Sequence, residues 1–333
     1  MDAAASTLAG DLASGLVPAV PVPHRADGTF DRTAQDAFAA WMATQPIVGV
    51  AVWAHTGRGL YLTPETAAEV LTSWRSVLPP KARIVAGCGA RPKLRAGRAR
   101  VTPPADPMGL TKFVIESTLE MAQDAKAHGA DSLLVFPPVL LRNLEDRERR
   151  IVDVHAALAD VGLPLIAFWL YEAAGGVLYS ERALDRIIAL GHVAGIKVAT
   201  LDSPMAFQEI AARVPEGRVL VSGEDRFLGY SLMMGARSAL IGLGAARPAL
   251  TAALLAAHRG GDWPAFVRLS ALVDRYGAVT FRDPMDGYIR RMLHVLAVDG
   301  VIPRQAAFDP FGPPVPPWQL EELERALPQL VAG

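Results

Sequence analysis

Cysteine is almost missing from this chain of 333 residues. Cys88 stands alone, so neither an internal disulfide nor a cysteine-based metal cluster is available. Net charge is nearly missing too: 33 basic against 34 acidic residues leave −1, which gives no basis for a nucleic-acid partner or an anionic membrane surface. No apolar run reaches the ~18 residues of a spanning helix. The opening Met1-Asp2-Ala3-Ala4-Ala5-Ser6 lacks a basic segment ahead of an apolar one, so no secretory signal is read there. These absences lead us to expect a cytoplasmic globular protein without nucleic-acid or membrane partners. No His-x-x-x-His pair or carboxylate cluster suggests a metal, and Gly87-Cys88-Gly89-Ala90 lacks the rest of a dinucleotide fingerprint. Lysine is scarce as well: Lys81, Lys93, Lys112, Lys126 and Lys197 are the five in the chain, and the remaining basic residues are arginine.

What the chain has in quantity is apolar sequence, 51% against 20% charged, enough for a large core. Eight short apolar runs punctuate it: Gly15–Val22, Ile47–Ala54, Arg83–Ala86, Ser132–Phe136, Leu165–Leu170, Ala194–Val198, Arg218–Val221 and Ser238–Gly242. Amphipathic stretches lie between most of them, at 32–43, 64–77, 110–128, 146–161, 180–190, 204–214 and 226–234. Several open on a cap residue, as in Thr63-Pro64-Glu65, Ser180-Glu181 and Ser203-Pro204. Eight strands alternating with helices predict an α/β chain folded as a closed (β/α)8 barrel over residues 1–250. After residue 250 three helical stretches (251–258, 262–278, 285–298) and a proline-rich tail predict a C-terminal helical extension, 251–333, packed on the barrel. The connection from Gly89 to Leu110 is long for a compact domain. Carrying Arg91, Lys93, Arg95, Arg98 and Arg100 away from the third strand, it reads as a cationic flap over an anionic substrate or against a neighbouring subunit, or else as a solvated insertion.

Arginine serves wherever this chain needs a surface cation, so the lysine inside Val193-Ala194-Gly195-Ile196-Lys197-Val198-Ala199-Thr200 is out of pattern. Burial disfavours an ammonium and lowers its pKa, and the neutral amine can attack a carbonyl to form a Schiff base. The alternative is a strand-end lysine that snorkels to water. In such a barrel the reacting groups stand at the C-terminal strand ends. There the second strand supplies His55-Thr56-Gly57-Arg58, with glycine to bare its amides and a hydroxyl and a cation for a carboxylate. The fifth supplies Tyr171-Glu172, the seventh Ser222-Gly223-Glu224-Asp225 and the eighth Ile241-Gly242.

Taken together and in order, these turns resemble the dihydrodipicolinate synthase/N-acetylneuraminate lyase family of pyruvate-dependent class I aldolases. Gly195-Ile196-Lys197 with Ala199-Thr200 is similar to that family's Schiff-base strand. His55-Thr56-Gly57 stands at its Thr-Thr-Gly carboxylate turn, and Val221-Ser222-Gly223-Glu224-Asp225 resembles its Ser-Gly-Asp-Asp turn. Pro18-Ala19-Val20-Pro21-Val22-Pro23 looks like its first strand. The similarity runs in register from about residue 15 to 250. There are departures. Phe136-Pro137-Pro138-Val139 replaces the strand-four Thr-Pro-Tyr-Tyr that holds the proton-relay tyrosine. His55 replaces the first threonine of the carboxylate turn, Arg58 the usual glutamate, and Phe168-Trp169-Leu170-Tyr171 the Tyr-Asn-Val-Pro of strand five.

The resemblance implies a Schiff-base lyase or aldolase acting on a 2-oxo acid of the pyruvate type with an aldehyde partner, or a dehydratase variant, though not dihydrodipicolinate synthase itself. It implies no metal or organic cofactor and a homo-oligomer, dimer or tetramer. Lys197 would form the imine, and His55, Tyr171 or Glu172 would shuttle protons. Thr56, Gly57, Arg58, Glu172, Ser222, Gly223, Ile241 and Gly242 would contact substrate. The alternatives are a lysine-dependent reaction on another carbonyl and a barrel of the same family that binds without turnover.

Overall fold

The computed structural model describes residues 1–13, 15–91 and 102–330. The cationic stretch with Lys93, Arg95, Arg98 and Arg100 lies outside the described residues. Eight parallel strands are present: β1 Leu16–Pro18, β2 Gly49–Val52, β3 Arg83–Cys88, β4 Ser132–Val135, β5 Leu165–Leu170, β6 Val193–Ala199, β7 Val219–Ser222 and β8 Ser238–Ile241. They pair in the order β1-β8-β7-β6-β5-β4-β3-β2. The barrel closes between β1 and β2, where Val48 N–H donates to Leu16 O (3.0 Å) and Val20 N–H to Ala51 O (3.1 Å). β1 is shorter than the apolar run predicted, because Pro18, Pro21 and Pro23 have no N–H to give a ladder.

Helices Arg32–Met42, Pro64–Val77, Pro107–Ala127, Arg147–Ala157, Glu181–Ala189, Pro204–Ala211, Leu228–Met233 and Pro248–Gly260 follow the strands in turn. The predicted caps form: Thr63 Oγ1, Ser180 Oγ and Ser203 Oγ accept the N–H groups of Thr66, Ala183 and Ala206 at 3.2 Å each. They satisfy amides that the first turn of a helix leaves unbonded.

Two elements escaped the sequence reading. Helix Ala3–Leu12, capped by Asp2, buries Ala5, Leu8, Ala9 and Leu12, which share one face, against the barrel's interior side chains Val17, Ala51, Ile166 and Val219. The proline-rich tail contains helix Pro317–Ala326, in which Pro317 takes the first-turn position where its missing N–H costs nothing. Beyond the barrel, helices Trp263–Thr280 and Tyr288–Val298 are joined by a loop that Arg291 holds. Its buried guanidinium donates to the carbonyls of Thr280 (2.9 Å), Arg282 (3.0 Å) and Asp283 (3.2 Å). That loop places Phe281, Met285 and Asp286 over the C-terminal ends of the strands. Among the described residues no helix is long and apolar enough to cross a membrane.

Candidate active site

Side chains alternate faces along a strand, and that parity decides what reaches the barrel interior. On β6, Lys197 pairs across to Phe168 of β5 and faces inward with it. Its Nζ lies 4.2 Å from the centroid of the Phe168 ring, and the residue is only 6% exposed. Burial lowers the amine to about 8, opposed by the charges of Asp225 and Glu224. Space for the side chain comes from Gly223: a Cβ there would lie 2.7 Å from Lys197 Cε and 2.9 Å from Ala199 Cβ.

Lys197 opens into a small cavity of about 50 Å³ at the C-terminal strand ends. His55, Thr56, Tyr171, Gly223 and Gly242 line it, together with Phe168, Leu170, Asp225, Phe281, Met285, Asp286 and Tyr288. The turn after β2 is wound tightly. Trp53 and Arg58 take left-handed φ values of 55° and 51°, and Leu201 at the exit of β6 takes 61°. Non-glycine residues seldom adopt that region without surrounding contacts that hold them there. Trp53 is held by its indole N–H, which donates to Ala67 O at 2.9 Å.

The other predicted contacts fall outside the cavity. Parity turns Ser222 and Ile241 toward the helix layer. Ser222 there receives a hydrogen bond from Ser231 (2.7 Å), and Ile241 joins the outer core. Gly57 packs under the turn, where a Cβ would meet Val20 O at 2.9 Å. Glu172 is exposed on a one-turn 3₁₀ segment beyond β5. Arg58 is buried and committed elsewhere: it donates to Asp309 at 2.8 and 3.2 Å and to Asp286 at 3.1 Å, and those carboxylates hold its pKa up. It therefore braces the turn and is not free to receive a substrate carboxylate.

Two buried acids and a phenol had no role in the sequence analysis. Glu224 accepts from Thr200 N–H (2.6 Å), Thr200 Oγ1 (3.1 Å) and Leu201 N–H (3.0 Å), fixing the exit of β6. Burial nevertheless raises its carboxyl to about 7. Asp225, in the cavity wall, accepts from Leu243 N–H at 2.7 Å and is raised by burial, with the Lys197 charge pulling the other way. Tyr288 comes from the C-terminal helices. Its hydroxyl shares a hydrogen bond with Thr56 Oγ1 at 2.9 Å and lies 3.4 Å from His55 Nδ1. His55 is lowered to about 4, first by burial and further by the Arg58 and Lys197 cations, so it is neutral at physiological pH. Burial raises the Tyr171 phenol to about 12. Cys88 is buried, and its thiol is pushed up to about 12, so it supplies no nucleophile.

No family model matches the chain. It is similar to the 4-hydroxy-tetrahydrodipicolinate synthase of Anaeromyxobacter sp. strain K, 22% identical over 286 residues that span 86% of this chain and 88% of the relative. It is also similar to a probable 5-dehydro-4-deoxyglucarate dehydratase of Saccharopolyspora erythraea, 28% identical over 177 residues, 53% of this chain and 48% of the other. Among solved structures it superposes on a dihydrodipicolinate synthase from Oceanobacillus iheyensis with a TM-score of 0.79 at 17% identity, covering 98% of this chain and 99% of that one.

Proposed function

As a divergent member of the dihydrodipicolinate synthase group, this chain, we propose, is a lyase that joins Lys197 to the ketone of a 2-oxo acid and then makes or breaks a bond beside the imine carbon. One observation carries the reading: a buried amine, lowered to about 8, opens into a cavity at the C-terminal end of a barrel. At neutral pH part of it is the free base, the form that attacks carbonyls. The attack gives a carbinolamine. Its C–O bond then breaks, the oxygen leaves as water with one added proton, and the nitrogen lone pair closes the C=N bond. The protonated imine withdraws electrons from the neighbouring carbon. That permits C–C bond formation or cleavage with an aldehyde, or loss of a hydroxyl as in the dehydratase relative.

The acid's carboxylate is received at Thr56, by its backbone amide with its hydroxyl beside it. His55 and Tyr171 stand in the same wall as acid–base groups. A second reading, a carbonyl substrate without a carboxylate, is favoured by the capture of Arg58, since no arginine lines the cavity among the described residues. Borohydride trapping with a panel of 2-oxo acids and simple aldehydes, read by mass spectrometry at Lys197, decides between them. An adduct with 2-oxo acids is expected. Adducts with aldehydes alone would favour the second reading, and none at all would leave a binding protein. We further propose a homo-oligomer acting on small molecules, and light scattering at a multiple of the chain mass is the expected result.

A further inference from the structure

Tyr288 enters the cavity from outside the eight barrel strands, and the structure prepares its path. The ring stacks on Phe281, centroids 4.4 Å apart and planes at 21°. It crosses the end of β8 at Gly242, where a Cβ would lie 2.7 Å from Tyr288 Cε2 and 3.1 Å from Thr56 Oγ1. The hydroxyl arrives 2.9 Å from Thr56 Oγ1 and 3.4 Å from His55 Nδ1, and the other imidazole nitrogen, Nε2, lies 3.6 Å from Asp286 Oδ1. Exposure rises along this series. Thr56 and Tyr288 are 3% and 6% exposed, and the side chains of His55 and Asp286 are 26% and 46% exposed.

We propose that Asp286, His55, Tyr288 and Thr56 form one proton path between the solvent-facing rim and the cavity, serving the carbon acid that Lys197 creates. The inference rests on the imine reading above. With His55 carrying its proton on Nε2 toward Asp286, Nδ1 accepts from the Tyr288 hydroxyl, and Tyr288 accepts from Thr56. The chain is then set to remove a proton from the cavity.

In the step it serves, a C3–H bond of the protonated imine breaks. Its electron pair becomes the C=C bond of the enamine, and the C=N π pair returns to nitrogen as a lone pair. The proton goes to Thr56 Oγ1, whose own proton passes to Tyr288, and the Tyr288 proton passes to His55 Nδ1. The resulting imidazolium lies beside the Asp286 carboxylate. Positive charge leaves Lys197 as it appears on His55, so the two cations are never present together. After the new bond forms, the same path returns the proton to the alkoxide. Tyr171 lies outside this series.

The test follows two half-reactions of the intact chain with pyruvate, 2-oxobutyrate and 2-oxoglutarate: borohydride trapping at Lys197, and exchange of C3 hydrogens into D₂O by proton NMR. Tyr288→Phe keeps the stacked ring and removes only the hydroxyl. It is expected to slow exchange about 100-fold, the low end of acid–base catalysis, while trapping and circular dichroism stay near wild type. Asp286→Asn should slow exchange by less, and added imidazole should partly restore exchange to His55→Ala. If Tyr288→Phe does not fold, those two arms decide. Wild-type exchange in Tyr288→Phe overturns the path. Equal loss of trapping and exchange also overturns it, because the phenol would then be a binding group. If wild-type protein forms no adduct with any of the three acids, the imine reading falls and the path with it.

Discussion

Lys197 is held where its charge is disfavoured, and the consequences run in two directions. Its folded pKa is lowered to about 8 by burial against Phe168, so the protonated form is the one the fold penalises. Below that pH the penalty is present in full. It fades as pH rises from about 8 toward the ordinary lysine value of 10.5. Lys197→Met is therefore expected to abolish borohydride trapping yet to melt several degrees higher than wild type at pH 7, with the gap closing by pH 10 in thermal scans. The rate of adduct formation should rise about tenfold per pH unit from 6 to 7 and level off above 8, following the free base. Gly223→Ala places a methyl 2.7 Å from Lys197 Cε and is expected to cut the trapping rate at least tenfold while the circular dichroism spectrum is unchanged. Of the site's residues, Lys197 was the easiest to find in the sequence, because a lone lysine in an apolar strand is visible without coordinates. Tyr288 was not, since its partner Thr56 lies 232 positions away and no local pattern links them.

At the level of the element, strand parity decides which of the residues singled out in the sequence reach the cavity. Neighbours in sequence at a strand end share a turn but not a face, so Gly223 and Gly242 line the cavity while Ser222 and Ile241 turn to the helices. The turn after β2 was legible in position but not in the use of its cation. Arg58 looked like a ligand for a carboxylate and instead meets two of the chain's own, Asp286 and Asp309. Both Arg58 and Asp309 are nearly fully buried, at 5% and 3% side-chain exposure. Removing one strands the other, a loss of about 3–5 kcal/mol for a broken buried pair. Arg58→Met is accordingly expected to lower the urea midpoint with little change in slope, and to weaken trapping because the turn loses its brace.

For the molecule as a whole, the eight-strand count and the alternation of strands with helices carried the architecture, because both are periodic signals. The two ends of the chain were read less well. Helix Ala3–Leu12 is rich in alanine and shows little contrast between its faces, yet it plugs the N-terminal mouth of the barrel with Ala5, Leu8, Ala9 and Leu12. Removing residues 1–12 exposes the interior side chains it covers and is expected to lower the melting temperature by more than about 10 °C, while any folded fraction still traps a 2-oxo acid at Lys197.

The opposite mouth has an ordering in time built into it. Lys197 and the turn that faces it belong to the barrel, whereas Phe281, Asp286, Tyr288 and Asp309 are synthesised only afterwards. A chain emerging from the ribosome as far as β8 thus carries Lys197 without the aromatic roof above it. On the function proposed above, turnover is expected only once the last helices are in place, and a product that ends at β8 is expected to show none.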